Sequence, residues 1–432
     1  MSIRILFLGT LKCDVCSFGY SLGVRSEKKS GDKDPDSLTR IASRITLEAL
    51  HVSTMSSCLS IATPSSDADS LNLSWRRRND TLPYEILSAI FSYISHDHIL
   101  HLRHLLFVCR SWNFVILQEA ELWSTIRIDG EIHQYFNDAQ AADFVSLCIS
   151  RSRSHPLSIM LDFGTFVAFN PVDTVRLRRS MIPLLRILIG HLDQHALRWR
   201  SLEWHNLSDV PEILSILPPH LPQLKCVRFY GGSWNERPEI IFPHCPNLEV
   251  VELHENEGFD VRLFGECHVH TVTELLVESD LCWISEEVDC IAGFRNVRRL
   301  TLSSPTGCNL DTDGLEKIHL PQLEALRLLG GVCPNLVSLL SAPSLSKVEI
   351  DHYESIFSVV SYLVSTDIET IAILIPPRDF ISHLPYELID LITSLHGLRT
   401  LRVNRWIYDV ITAGDSPLNT SALLGLRLII ED

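Results

Sequence analysis

From residue 199 onward, the apolar residues follow a six-residue unit, apolar-x-x-apolar-x-apolar, that recurs nine times. Successive units begin 22 to 30 residues apart. The second and third apolar positions lie two residues apart, which predicts a short strand with one buried face. The units are Trp199/Leu202/Trp204, Leu224/Val227/Phe229, Leu248/Val251/Leu253, Val272/Leu275/Val277, Val297/Leu300/Leu302, Leu323/Leu326/Leu328, Leu345/Val348/Ile350, Ile368/Ile371/Ile373 and Leu398/Leu401/Val403.

Several segments between the units have helical character, among them Glu212–Leu217, Ser355–Val364 and Pro385–Leu395. A strand followed by a helix, repeated at a nearly constant period, builds a parallel solenoid in which each repeat packs on its neighbours. The pattern therefore predicts an α/β fold with a parallel sheet, in a solenoid that covers residues 199–432.

The period of this solenoid falls within the roughly 20–29 residues of leucine-rich repeats, and residues 199–432 resemble an irregular leucine-rich-repeat domain. That family usually has an asparagine three residues after the third apolar position, where its amide links neighbouring turns. Only Asn256 occupies that position here, whereas other units have residues such as Gly232 and Tyr353. We therefore expect other hydrogen bonds to link the turns, and an irregular curvature.

Residues 129–198 fit no repeat cleanly. Helices are predicted at Asp138–Ser150 and Asp173–Gly190, on either side of a predicted strand at Leu157–Phe163. We interpret residues 129–198 as a linking region that holds an N-terminal cap and early irregular repeats.

The chain between residues 79 and 128 has a different, helical pattern. Apolar residues from Ile86 to Ile94 follow the spacing of one helix face. Pro83 falls in the first turn, where its missing N–H costs nothing. Further apolar runs cover Ile99–Leu106 and Val108–Ile116. Such a small core rarely contributes more than about 3–5 kcal/mol, yet apolar residues occupy more than one stripe. The pattern therefore predicts that another chain covers part of this surface.

Four short motifs follow one another in this helical region. They are Leu82-Pro83-Tyr84-Glu85-Ile86-Leu87, Ile90-Phe91, Val108-Cys109-Arg110-Ser111-Trp112 and Leu122-Trp123. In this order and spacing they resemble the F-box, over roughly Thr81 to Ile128. The middle departs from the family pattern, because His98, His101 and His104 fall within its usually leucine-rich second helix. Their spacing spreads them around a helix, and no nearby residue completes a tetrahedral ligand set, so no metal site is expected.

The resemblance implies two partners. In F-box proteins the first helix and the Leu-Pro corner pack on a Skp-family adaptor, which connects to a cullin. The implied adaptor contacts, or their direct supports, are Leu82, Pro83, Ile86, Leu87, Ile90, Phe91, Val108, Cys109 and Trp112. Trp112 and Trp123 have an equally good interpretation as core residues of the small domain.

A substrate face is expected on the sheet. Strands line the inner face of a leucine-rich-repeat horseshoe, so residues that flank the buried positions point into its concavity. The residues predicted to contact a protein substrate are Arg228, Tyr230, Glu252, His254, Arg299, Arg327, Glu349 and Arg402. Their charges are of mixed sign, which implies neither a purely acidic nor a purely basic partner. The alternative is that many of them are solvated strand residues.

Composition and charge exclude some classes of partner. Of the 432 residues, 46% are hydrophobic and 21% are charged, as is ordinary for a globular protein. A net charge of −16 argues against a nucleic-acid partner, which needs a concentrated basic face, and the one basic run is Arg76-Arg77-Arg78. No apolar stretch reaches the ~20 residues needed to span a bilayer, so no membrane partner is expected.

Residues 1–78 are rich in Ser, Asp, Lys and Arg, which predicts a disordered leader. Met55 lies close to the first ordered domain, so a translation start at Met1 and one at Met55 both fit the sequence.

Cys13 and Cys16 have no second pair of cysteines to complete a ligand set, which argues against a zinc or redox site. The 12 cysteines lack the density of a disulfide scaffold, which favours the cytoplasm or the nucleus.

The sequence contains no glycine-rich phosphate loop, Gly-x-Ser-x-Gly elbow or His-Glu-x-x-His motif, so we expect neither enzymatic activity nor a cofactor. Residues 383–389 are similar to the first F-box motif, but no Val-Cys-Arg-x-Trp follows them, and we interpret them as a repeat helix.

The leading hypothesis is a non-catalytic substrate receptor of an SCF-type ubiquitin ligase. The alternatives are an F-box scaffold protein that does not direct ubiquitination, and a repeat protein whose F-box no longer binds.

Overall fold

The structure is a computed structural model. It describes residues 10–12, 19–21, 83–97, 102, 105–129, 138–162, 183, 185–205, 215–233, 242–257, 270–279, 285–304, 310, 315–332, 334–352, 355–356, 362, 367–376, 392, 395, 397–412 and 426–431. The chain forms two units, residues 1–62 and residues 63–432. In the first unit, strands β1 (Thr10–Lys12) and β2 (Gly19–Ser21) form an antiparallel pair. All other elements belong to the second unit.

The second unit begins with helices α1 (Tyr84–Asp97) and α2 (Arg110–Gln118) and a 3-10 turn, Ala120–Trp123. The carbonyl of Pro83 accepts hydrogen bonds from the N–H groups of Ile86 and Leu87, both at 3.1 Å, and so starts α1. These elements enclose a small apolar core. Its buried side chains are Leu87, Phe91, Ile94, Leu102, Leu105, Trp112, Val115, Ile116, Leu122 and Trp123.

The rest of the unit is dominated by parallel strands. In chain order these are β3 (Thr125–Asp129), β4 (Leu157–Asp162), β5 (Trp199–His205), β6 (Cys226–Ser233), β7 (Val250–Glu257), β8 (Glu274–Glu278), β9 (Arg299–Ser304), β10 (Ile318–His319), β11 (Ala325–Gly330), β12 (Leu340–Ser341), β13 (Lys347–Ile350), β14 (Thr370–Ile373), β15 (Thr400–Asn404) and β16 (Arg427–Glu431). Strands β10 and β12 pair with each other. The other twelve form one sheet in which sequence order and spatial order agree.

Helices accompany the strands at intervals. They are α3 (Asp138–Arg151), α4 (Ser285–Gly293), α5 (Pro334–Leu339) and α6 (Arg405–Thr412), together with the helical residues 185–193. In the described part of the chain, none of them is long and apolar enough to cross a bilayer.

Equivalent positions of consecutive units stack in register along the sheet. Leu202 pairs with Val227, which pairs with Val251, and the next apolar position continues in the same way. All three apolar residues of each of the nine predicted units are buried. The predicted fold class, short helices followed by an α/β solenoid with a parallel sheet, is therefore confirmed.

Side-chain hydrogen bonds link the turns that precede several strands. Three such bonds, each 2.7 Å long, run from Asn247 Nδ2 to the Pro222 carbonyl, from Asn296 Nδ2 to the His270 carbonyl and from Ser344 Oγ to the Pro321 carbonyl. Each donor directly precedes the first apolar residue of its unit, and each acceptor belongs to the preceding repeat. A polar ladder before the strand thus serves where leucine-rich repeats usually have an asparagine after it.

The two end strands of the sheet lie outside the nine predicted units. Strand β3 does follow the unit, as Trp123/Ile126/Ile128, but it overlaps the closing motif of the helical region. Strand β16 has glycine at the first apolar position, Gly425. The sheet is therefore longer than the repeat pattern predicts.

Other predicted features have mixed outcomes. The predicted helix Asp138–Ser150 corresponds to α3, and the predicted strand Leu157–Phe163 corresponds to β4. Features that lie wholly or largely outside the described residues are Cys13, Cys16, Met55, Arg76–Arg78, His98, His101, His104, residues 383–389 and the predicted helices Asp173–Gly190, Glu212–Leu217, Ser355–Val364 and Pro385–Leu395.

Candidate functional site

Helix α1 carries two neighbouring apolar stripes at helical spacing. The first, Leu87, Phe91 and Ile94, is buried in the small core. The second consists of Ile86, Ile90 and Tyr93, and with Pro83 at its start we name it the docking stripe. Ile86 and Ile90 are half-buried, Pro83 is exposed, and Tyr93 is 40% exposed. The described residues therefore cover the second stripe only in part.

Polar contacts fix the start of α1 against the end of α2. The Tyr84 hydroxyl donates to Glu119 Oε2 at 2.9 Å, and the Ser88 hydroxyl donates to the same oxygen at 3.3 Å. Burial and the neighbouring Glu119 carboxylate both raise the pKa of Tyr84, so this hydroxyl stays a donor. These bonds hold the docking stripe in a defined orientation.

The two tryptophans of the motif are core residues. The Trp112 ring meets the Phe91 ring edge-to-face, with centroids 5.1 Å apart and planes at 66°. Trp123 Nε1 donates to the Ile116 carbonyl at 2.7 Å. Of the two interpretations that the sequence left open for these residues, the structure favours the core.

Two exposed phenylalanines lie near this core. Phe107 is 75% exposed in the turn before α2, and Phe114 is 60% exposed on α2. The sequence reasoning missed both, although Phe114 falls off the helical spacing of the buried residues Trp112, Val115 and Ile116. The offset of Phe114 from that spacing could have predicted its exposure from the sequence.

The family comparison concerns this helical region. Residues 79–129 match the family model described as F-box-like. The chain carries an F-box-like domain. Such a domain implies binding to a Skp-family adaptor. A search of curated proteins found no match.

The structure places the predicted adaptor residues of the F-box-like domain in different surroundings. Leu82 lies outside the described residues. Pro83, Ile86 and Ile90 lie on the docking stripe. The remaining predicted residues are buried or half-buried in or near the core, and these are Leu87, Phe91, Val108, Cys109 and Trp112.

The predicted substrate residues lie on the exposed rows of the sheet, where they form ion pairs. Arg228 Nε donates to Glu252 at 2.8 Å, and Arg327 Nε to Glu349 at 2.7 Å. Arg299 pairs with Glu274 on the neighbouring strand β8, and Arg402 pairs with Glu431 on β16. Arg228, Glu252, Arg327, Glu349 and Arg402 share one row of the sheet.

Three stacked rings occupy the next exposed row. The Tyr230 ring lies parallel to those of His205 and His254, with centroids 4.3 Å away on both sides. His205 was not predicted, although it follows the third apolar residue of its unit just as Tyr230 and His254 do. Burial and the carboxylates of Glu203 and Glu252 raise the pKa of Tyr230 to about 12.

Carboxylates surround the stacked His254. His254 Nδ1 lies 2.7 Å from Glu278 Oε2, and Nε2 lies 3.3 Å from Glu252 Oε2. Burial alone would lower the pKa of His254, but the two carboxylates outweigh it and raise this pKa. The hydrogen bond from His254 also lowers the pKa of Glu252, against burial.

The described cysteines do not form a reactive site. Cys109, Cys148, Cys226 and Cys245 are free thiols. Burial raises the pKa of Cys226 to about 11 and that of Cys245 to about 12, so both are protonated near neutral pH. No group of His, Cys, Asp or Glu suited to a metal ion occurs among the described residues.

Proposed function

We propose that the chain is the substrate-recognition subunit of an SCF-type ubiquitin ligase in the cytoplasm or nucleus. The docking stripe binds a Skp-family adaptor, which connects to a cullin, and the exposed rows of the sheet bind a protein substrate. The chain contributes no reacting group. Its role is to raise the effective concentration of the substrate near the conjugating enzyme.

The docking stripe is the observation that supports adaptor binding. Ile86, Ile90 and Tyr93 present apolar surface next to a core that Leu87 and Phe91 already fill. An amphipathic helix with a second apolar stripe fits a groove on a partner, where its side chains at i, i+4 and i+7 serve as anchors.

Adaptor capture by the full chain tests this proposal. The double substitution Pro83→Ala with Ile90→Asp places a carboxylate in the apolar contact, where it finds no counter-charge. We expect it to abolish capture of a purified Skp-family adaptor, and the thermal unfolding of the solenoid to stay unchanged. Undiminished capture by this folded variant contradicts adaptor binding through the stripe.

Leu147 on α3 supplies a matched control. It is 42% exposed, close to the 40% of Tyr93, and lies outside the F-box-like domain. Leu147→Asp should leave capture intact, whereas Tyr93→Asp should weaken it. Equal weakening by both substitutions means that the added charge, and not its position, causes the loss.

A scaffold that binds the adaptor without directing ubiquitination is the second candidate. It is favoured by the ion pairs of the sheet, because the predicted charged contacts such as Arg228 and Arg327 already have partners within the chain. Proximity labelling under proteasome inhibition separates the two candidates. A substrate receptor labels ubiquitinated proteins that disappear in the Pro83→Ala, Ile90→Asp variant, whereas a scaffold labels the adaptor without such proteins.

A further inference from the structure

An open cavity of about 620 Å³ lies between the end of α3, the turn that follows it and the residues after helix 185–193. We name it the cationic cavity, after the basic groups that line it. Its polar lining includes Ser150, Arg153, Ser154, His191, His195 and Arg198. The described carboxylates on these two helices, Asp143 and Asp193, are not among the lining residues.

The arginines of this cavity differ from those of the sheet. Arg127, Arg228 and Arg327 each form an ion pair with a carboxylate. Arg153 and Arg198 form none with the residues that the structure describes. In a chain of net charge −16, two arginines without a described ion pair therefore line the same cavity.

Arg198 is held in place for contact with the cavity. Its Nε and Nη2 donate to the His155 carbonyl at 3.0 and 2.8 Å, and Nη2 also donates to Ser152 Oγ at 2.7 Å. These bonds leave Nη1 as a donor on a fixed, planar group. A guanidinium oriented in this way suits the oxygens of a phosphate.

Arg153 occupies a backbone position that favours glycine. Its φ is +51°, and among the described residues it is the one non-glycine residue with a positive φ. Turns after helices commonly adopt this left-handed conformation, usually with glycine, because a side chain is strained there. Arg153 lines the cavity, and its Nη2 also donates to Gln118 Oε1 at 3.4 Å.

The carboxyl ends of α3 and helix 185–193 also affect the charge of the cavity. The carboxyl end of a helix carries about half a negative charge, which attracts basic residues irrespective of any ligand. Two such ends offset about one of the two arginine charges and leave a net positive cavity. Burial and the Arg198 charge both lower the pKa of His195.

We propose that the cationic cavity binds a small phosphate-bearing molecule through Arg153, Arg198, His191 and the hydroxyls of Ser150 and Ser154. The cavity volume lies within the range of small-molecule sites, roughly 300–1,000 Å³. This site is independent of adaptor docking.

Calorimetric titration of the full chain with inorganic pyrophosphate and with glucose 6-phosphate tests the proposal. We expect saturable binding of at least one probe. Arg153→Gly should weaken it about tenfold or more, the usual effect of losing a charge-assisted hydrogen bond. The same variant should be at least as stable as wild type, because glycine suits the backbone there.

Arg200→Gln provides the control, because Arg200 is exposed two residues from Arg198 but does not line the cavity. It should change the affinity less than about twofold. Equal weakening by Arg200→Gln and Arg153→Gly points to non-specific attraction and overturns the proposal. Failure of both probes to bind overturns it too, as does binding of a phosphoserine peptide without binding of the small phosphates.

Discussion

The two stripes of α1 predict different effects on folding for substitutions at the adjacent residues Ile90 and Phe91. Phe91 is fully buried and packs edge-to-face on Trp112. Truncation of such a residue to alanine typically costs about 3–5 kcal/mol, which equals the whole stability that a helical module of this size usually has. Phe91→Ala should therefore unfold the helices of the F-box-like domain and abolish adaptor binding.

Ile90→Ala should instead weaken binding while the domain stays folded. A fully buried isoleucine contributes about 1.5–3 kcal/mol, and Ile90 is half-buried in the free chain. About 1 kcal/mol therefore remains to be gained when an adaptor covers it, and its loss raises the adaptor Kd about fivefold. Ile90→Ala should also lower the free energy of unfolding by about 1 kcal/mol, which leaves the F-box-like domain folded.

Hydrogen exchange of the α1 amides, together with calorimetry against purified adaptor, separates the two effects. Phe91→Ala should lose protection across Tyr84–Asp97, whereas Ile90→Ala should keep it. Retained protection in Phe91→Ala, or an unchanged adaptor affinity in Ile90→Ala, would refute the division of α1 into a core stripe and a docking stripe.

Two further predictions concern the solenoid. Because the carboxylates of Glu252 and Glu278 raise the pKa of His254, its contribution to stability is complete below its ordinary value of 6.5 and is lost as the pH rises through the raised value. Denaturant unfolding of wild type and His254→Gln should therefore show a free-energy difference that shrinks as the pH rises above 6.5, and a constant difference contradicts the assignment. Trp199 Nε1 donates to a backbone carbonyl whereas Trp204 Nε1 has no partner in the described structure, so Trp199→Phe should destabilise by about 1–3 kcal/mol more than Trp204→Phe in the same assay, and equal losses would count against the difference in hydrogen bonding.

The nine units could be predicted because each strand must bury its alternate side chains. This requirement is local, so it produces an apolar pattern within each strand's own sequence. The ends of the sheet could not be predicted in the same way. Strand β16 pairs with β15, but the sequence before it has glycine at position 425, where the unit has its first apolar residue, so the pattern does not include this strand. Strand β3 fits the unit, but the first apolar residue of that unit, Trp123, is also the last residue of the F-box-like motifs, so one residue serves both structures.

Only part of the candidate site could be predicted from the sequence. The Leu-Pro and Ile-Phe motifs identify α1, and helical spacing separates Phe91 from Ile90. The spacing of Trp112 does not reveal whether its ring meets a partner or Phe91, because both arrangements need an apolar side chain there. The exposure of Phe107 depends on the path of a turn, which apolar patterning does not encode.

Stacking alone accounts for the charge pattern on the sheet. Equivalent positions of adjacent strands lie about 4.8 Å apart, where like charges repel and opposite charges attract. The series Glu203, Arg228, Glu252 follows this requirement, and so does the pair Arg327 and Glu349. A solenoid would select this alternation with or without a substrate, so a charged residue in such a row is weak evidence of a partner.

Residues that stacking and core packing leave unexplained carry more information about function. Tyr93 and Phe114 expose aromatic surface beside a core that is already filled, at a cost that an uncovered surface does not repay. Arg153 lines the cationic cavity although its φ of +51° favours glycine. Substitution at these positions should therefore change binding more than it changes folding.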